Sequence, residues 1–112
     1  DAHALEQLRL QLALDLALAA PDAVGGLVLI GPVQVPKVAD RLGAITVPTL
    51  VVWGDSDGVA PPAHAQTLEQ GLPDARVVTI AGGGHPCYLD DPETWHARLL
   101  DFLGARFPVT GA

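Results

Sequence analysis

Thr49-Leu50-Val51-Val52-Trp53 is opened by Pro48 and closed by Gly54. It is short, apolar and rich in β-branched residues, with no alternation of polar and apolar positions. Such a run reads as a strand buried on both faces, the habit of a parallel sheet. Two more runs share its character. Gly26-Leu27-Val28-Leu29-Ile30 lies upstream, followed by Gly and Pro, and Arg76-Val77-Val78-Thr79-Ile80 lies downstream, closed by Gly82-Gly83-Gly84. Helical segments fall between them, one near 37–42 and one at about 62–71. A final helix starts at Asp91-Pro92-Glu93, where Asp91 is a good N-cap and Pro92 suits the first helical position. It carries Trp95, Leu99, Leu100, Phe102 and Leu103 toward a core.

Near the start, leucines at 8, 10, 12, 14, 16 and 18 alternate as a strand would. The residues between them are helix formers, and the segment has almost no β-branching. It reads as a helix with two stripes, Leu8/Leu12/Leu16 and Leu10/Leu14/Leu18, packed between other elements and stopping before Pro21. The order helix, strand, helix, strand, helix, strand, helix predicts an α/β fold: a three-stranded parallel sheet with flanking helices and right-handed crossovers.

The chain has 112 residues, 49% of them apolar, enough for a core; no linker or repeat divides residues 1–112. Six Lys and Arg stand against 13 Asp and Glu, a net charge of -7 with no basic cluster. That balance argues against nucleic acid or an anionic membrane as partner. No apolar run approaches the ~20 residues of a membrane helix. Leu8 to Ala20 resembles the apolar part of a signal peptide. Asp15 within it, and the lack of a preceding basic cluster, favour an ordinary helix and a cytoplasmic location. The sequence contains no Met, which suggests that the natural start lies upstream. The single cysteine, Cys87, excludes an intrachain disulfide and a cysteine zinc site. Flanked by Pro86 and Tyr88, it reads as a buried small hydrophobe rather than a reactive thiol.

In open α/β sheets, reactive groups collect at the carboxyl ends of strands. Two loops stand there: Gly54-Asp55-Ser56-Asp57-Gly58 and Gly82-Gly83-Gly84-His85-Pro86. If their strands are neighbours, an acid and a histidine meet at one edge. Three glycines let the backbone turn sharply, and Pro86 holds His85 in an extended conformation. A carboxylate hydrogen-bonded to the imidazole would fix its tautomer and stabilise the imidazolium during proton transfer. The plainer reading is that both loops are turns built from ordinary turn residues. Asp55-Ser56-Asp57-Gly58 begins like a calcium loop, but Gln66 stands where the closing Glu belongs. His3, His64, His85 and His96 lack metal-ligand spacing, and there is no phosphate-binding glycine loop, so neither metal nor cofactor is expected.

The stretch from Ile45 to Phe102 resembles the C-terminal half of an α/β-hydrolase. Val47 to Asp57 matches that family's strand followed by Gly-x-x-Asp, which implies Asp57, rather than Asp55, as the acid of a catalytic triad. Gly83-Gly84-His85, followed by Leu89, Asp90, Pro92 and Glu93, matches its histidine loop and last helix, and implies His85 as general base. His85-Pro86-Cys87-Tyr88-Leu89-Asp90, with Trp95-His96 and Leu99 to Leu103, is similar to the small capless α/β-hydrolase-domain-containing protein 14 family. The short connection from Gly31 to Val47 fits a capless member. The resemblance implies a partial α/β-hydrolase domain of the serine-hydrolase type, acting on a small ester, thioester or amide.

One part of the pattern is different. Counting back from Ala13-Leu14-Asp15-Leu16-Ala17 by the family's spacing places the nucleophile at Gln7, which cannot attack, and no glycine is there to make the turn. The sole serine in the sequence, Ser56, lies in the acid loop. The expectation is a chain that carries the acid and base, lacks the nucleophile and has little activity alone. It would need an N-terminal half or a second copy pairing at an open sheet edge. The alternative is a non-catalytic relative that serves as a binding or interaction module.

Overall fold

The computed structural model describes residues 2–85 and 87–106, with 2–7 and 88 described by their backbone alone. Helix α1 (Ala2–Ala19) leads into strand β1 (Leu27–Ile30). A 3-10 helix (Val35–Ala44) follows, then β2 (Thr49–Gly54), α2 (His64–Gly71) and β3 (Ala75–Ile80). A short 3-10 turn (Cys87–Leu89) precedes α3 (Pro92–Arg106). The strands form one parallel sheet in the order β1-β2-β3, with Leu27 opposite Thr49 and Gly54 opposite Ile80. Fold class and strand positions agree with the sequence reading.

The pleat sends alternate residues of each strand to opposite layers. On one face Leu27, Leu29, Val51 and Trp53 pack with Leu10, Leu14 and Ala17 of α1, Val35, Val38 and Leu42 of the 3-10 helix, and Leu68 of α2. On the other, Leu50, Val52 and Ile80 pack with Cys87 and Phe102, flanked by Ile30, Val78, Trp95 and Leu99. Every residue of β2 is buried, as its unbroken apolar run requires. Burying a side chain such as Leu50 or Val51 contributes roughly 1.5–3 kcal/mol, so this central strand anchors the sheet.

Four expectations need correction. Of the α3 residues expected to point toward a core, Phe102 is buried and Trp95 and Leu99 pack beside it, but Leu100 and Leu103 are exposed. Only one leucine stripe of α1 is packed: Leu8, Leu12 and Leu16 are 49%, 52% and 60% exposed. Helix α1 stands at the end of its layer, covered by β1 and its neighbours on one side, with an ion pair from Arg41 to Asp15 tying it to the 3-10 helix. Strands β1 and β3 are not buried on both faces, because both lie at the edges of the three-stranded sheet: Val28, Arg76 and Thr79 are exposed and Val77 and Val78 only half-buried. Finally, the helix near 37–42 is 3-10 and longer than expected, starting after Gln34 in the left-handed region with Pro36 in its first turn.

Between β1 and β2 the chain holds nothing larger than that 3-10 helix. Among the described residues, no helix is long and apolar enough to cross a membrane.

Candidate active site

Because Gly54 lies opposite Ile80, the loops after β2 and β3 leave the same sheet edge side by side. Asp55 N–H donates to Ile80 O at 3.2 Å, and Ser56 N–H donates to Gly83 O at 2.9 Å. The approach is so close that a Cβ on Gly54 would stand 2.2 Å from Gly83 O. Glycine at position 54 is therefore a steric requirement of bringing the two loops together.

That juxtaposition brings Asp57 to His85. Oδ2 of Asp57 lies 2.8 Å from Nδ1 of His85. The carboxylate side chain is 1% exposed and the imidazole 12%. A buried carboxylate must have its lone pairs occupied. Here Oδ1 accepts the N–H groups of Val59 at 2.8 Å and Ala60 at 2.7 Å, leaving Oδ2 for the imidazole. The indole N–H of buried Trp53 donates to Ala60 O at 3.1 Å, so the acid loop is fastened to the core through the last side chain of β2 that points into it.

The tautomer follows from these partners. Asp57 accepts, so His85 carries its proton on Nδ1 and its basic lone pair on Nε2. An imidazole so oriented can take a proton at Nε2 while the buried carboxylate stabilises the resulting positive charge.

Other residues sort themselves around the pair. Asp55, the alternative acid, turns to the glycine loop, where its Oδ1 accepts Gly82 N–H at 2.7 Å. Ser56 is exposed, and its hydroxyl donates to Asp55 Oδ1 at 3.3 Å. Cys87 is 2% exposed, in the core. Gln7 lies within α1, with its side chain outside the described residues. Pro86, expected to hold His85 extended, is also outside them.

Sequence reasoning missed Gly31. It directly follows β1 with a φ of +48°, and a Cβ there would stand 2.9 Å from Asp57 Oδ2 and 3.1 Å from His85 Nδ1. It forms a wall of the pair. The Gly-Pro step after an apolar run was the available signal, but it reads equally well as a strand terminator. Asp90, named in the sequence only as part of the histidine-loop motif, has its Oδ2 accepting Gly84 N–H at 2.7 Å.

Residues 34–92, which include both Asp57 and His85, match the family model of the alpha/beta hydrolase fold. The chain belongs to the alpha/beta hydrolase fold family. It is 43% identical over 88 residues to the provisionally named protein-lysine deacylase ABHD14B of Rattus norvegicus, covering 77% of this chain and 41% of that protein. Protein ABHD14A of Danio rerio is 36% identical over 80 residues, covering 70% of this chain and 29% of that one. Among solved structures, a predicted CIB-like hydrolase from Thermoplasma acidophilum superposes with a TM-score of 0.76 at 31% identity, over 81% of this chain and 44% of that chain. The chain thus spans about two fifths of the length of the ABHD14B it matches.

Proposed function

We propose that these residues form the acid–base portion of a serine-hydrolase-type domain that hydrolyses or transfers acyl groups, with Asp57 as triad acid and His85 as general base. The single observation that carries this reading is the 2.8 Å contact between His85 Nδ1 and buried Asp57 Oδ2 at the carboxyl edge of the sheet. The nucleophile is a serine outside the 112 residues. Ser56, the sole serine within them, is committed to Asp55. The short connection between β1 and β2 supports a capless member.

In the assembled site His85 Nε2 takes the proton of the attacking hydroxyl as its oxygen bonds to the acyl carbon. The imidazolium then gives that proton to the leaving oxygen, nitrogen or sulfur as the old acyl bond breaks. Water repeats the sequence on the acyl-enzyme, with His85 again the base and the serine the leaving group. Asp57 keeps the proton-bearing Nδ1 in place throughout. Simple acyl esters are the general substrates to test. Acyl-lysine amides are the specific class suggested by the name of ABHD14B.

The isolated chain has the base and its acid without the nucleophile. General-base help alone is worth roughly 10²- to 10⁴-fold, well short of a working hydrolase. A chromogenic acetyl-ester assay tests the division of labour. Turnover is expected from the full-length protein and lost in its His85→Ala variant, with little or none from the purified 112-residue chain. Turnover by the short chain that depends on His85 would refute the placement of the nucleophile. A full-length protein that turns over neither esters nor acyl-lysine would instead favour a non-catalytic relative.

A further inference from the structure

The segment that carries His85 is a run of three glycines, tied at its middle by backbone alone: Gly83 O accepts Ser56 N–H at 2.9 Å and Gly83 N–H donates to Ile80 O at 3.0 Å. Gly82, Gly83 and Gly84 have no side chains to pack, and Gly82 adopts a φ of +72°. Three consecutive glycines lose more conformational freedom on ordering than any other tripeptide. A histidine mounted on such a segment would wander unless other groups fixed the loop.

Two carboxylates do so from opposite sides. Asp55, directly after β2, accepts Gly82 N–H on Oδ1 at 2.7 Å. Asp90, directly after the Cys87–Leu89 turn, accepts Gly84 N–H on Oδ2 at 2.7 Å. Hydrogen bonds to ionised acceptors are about twice as strong as neutral ones. The two grip the first and last glycine of the run, and the second grip lies one residue from His85. Both carboxylates are on exposed residues, and neither belongs to the hydrophobic core. Exposed charged contacts of this kind contribute little to global stability.

We propose that Asp55 and Asp90 are positioning residues that clamp the glycine loop and thereby set His85 against Asp57. This rests on the reading of Asp57 and His85 as a catalytic pair. Catalytic geometry is steep: a misplacement of about 1 Å can cost roughly 10²-fold, so partial loosening at one end of the loop should cost about tenfold. The loss falls on kcat, because the carboxylates act on the base and not on bound substrate. Asparagine keeps an amide oxygen that accepts the same backbone N–H, so the Asn variants retain most of the effect that Ala variants lose.

The test uses the full-length protein with Asp55→Ala, Asp90→Ala, Asp55→Asn and Asp90→Asn, read in two ways. Ester turnover should show kcat lowered about tenfold in each Ala variant with KM nearly unchanged, and largely restored in each Asn variant. The downfield NMR resonance of the His85 Nδ1 proton should persist in the parent and Asn variants and broaden or vanish in the Ala variants. The second readout requires no turnover. If the resonance responds this way but neither the parent nor any variant turns over an ester or an acyl-lysine amide, the clamp stands and the hydrolase reading falls. If the parent is active and the folded Ala variants keep both kcat and resonance, the clamp is refuted. Equal losses in the Ala and Asn variants would also refute it, since the acceptor oxygen would then be irrelevant.

Discussion

A Cβ added to Gly31 would stand 2.9 Å from Oδ2 of Asp57, the same oxygen that faces His85. The end of β1 is thus a steric boundary of a pair formed by the loops after β2 and β3, and all three strands of the sheet contribute to the site. Any side chain at position 31 must move the carboxylate, the imidazole or its own backbone. Gly31→Val adds the strain of a branched residue at a positive φ, about 1–2 kcal/mol in the left-handed region. Activity of the full-length protein should fall roughly 10²-fold from misalignment of the pair, a loss read as kcat in an ester assay. Activity within twofold of the parent would mean that the wall is not needed.

Asp57→Asn should be far more costly than its size suggests. The amide oxygen can still accept from Val59 or Ala60, but an amide N–H beside the imidazole favours the opposite tautomer. A drop in kcat of about 10⁴-fold with little change in thermal stability is the expected result. Imidazole ¹⁵N shifts of His85 check the cause, because the proton should move from Nδ1 to Nε2.

Trp53 links this polar pair to the core. Trp53→Phe keeps most of the buried ring but leaves Ala60 O without its indole donor. An unsatisfied buried acceptor costs about 1–3 kcal/mol, so the urea midpoint should fall without a change in the slope of the transition. The same variant should loosen the N–H groups held against Asp57, visible as faster amide exchange at Val59 and Ala60.

Much of this architecture is legible in the amino-acid sequence, for a physical reason. The runs at 27–30, 49–54 and 75–80 are apolar because a parallel sheet is covered by helices, and Gly and Pro mark their ends because the chain must turn there. What the runs do not reveal is which strand lies at an edge. The Arg76 run resembles the Thr49 run in composition, yet β3 is half-exposed and β2 is not. The second leucine stripe of α1 is likewise apolar in composition and solvent-facing in fact. At the site, Asp55 and Asp57 have equal chemistry in the sequence, and the resemblance to a family motif separated them. Their distinct environments come from backbone contacts at Val59, Ala60 and Gly82 that no side-chain pattern encodes. Gly31 was illegible because its constraint arises from residues 26 and 54 positions away in the chain, not from its neighbours.

The last helix should respond to acid in a defined direction. The Thr94 hydroxyl donates to Asp91 Oδ2 at 2.7 Å and the Thr94 N–H to Oδ1 at 3.1 Å. These hold the Asp91 carboxyl below its ordinary value of 3.8, the hydroxyl having the larger effect. A carboxylate whose folded-state value lies below its unfolded value stabilises the fold above the unfolded value. That contribution is lost as pH falls through the folded-state value. Asp91→Ala should therefore lower the melting temperature at neutral pH, and the gap from the parent should close as pH drops below about 4. A gap that is constant across that range would show that the N-cap hydrogen bonds do not depend on the charge.

If Asp57 and His85 activate a serine outside these 112 residues, that serine should react with a fluorophosphonate in the full-length protein. Modification of a single serine that is not Ser56 is expected, abolished by His85→Ala and strongly slowed by Asp57→Asn. Absence of labelling in the folded parent, or labelling that survives His85→Ala, would contradict it.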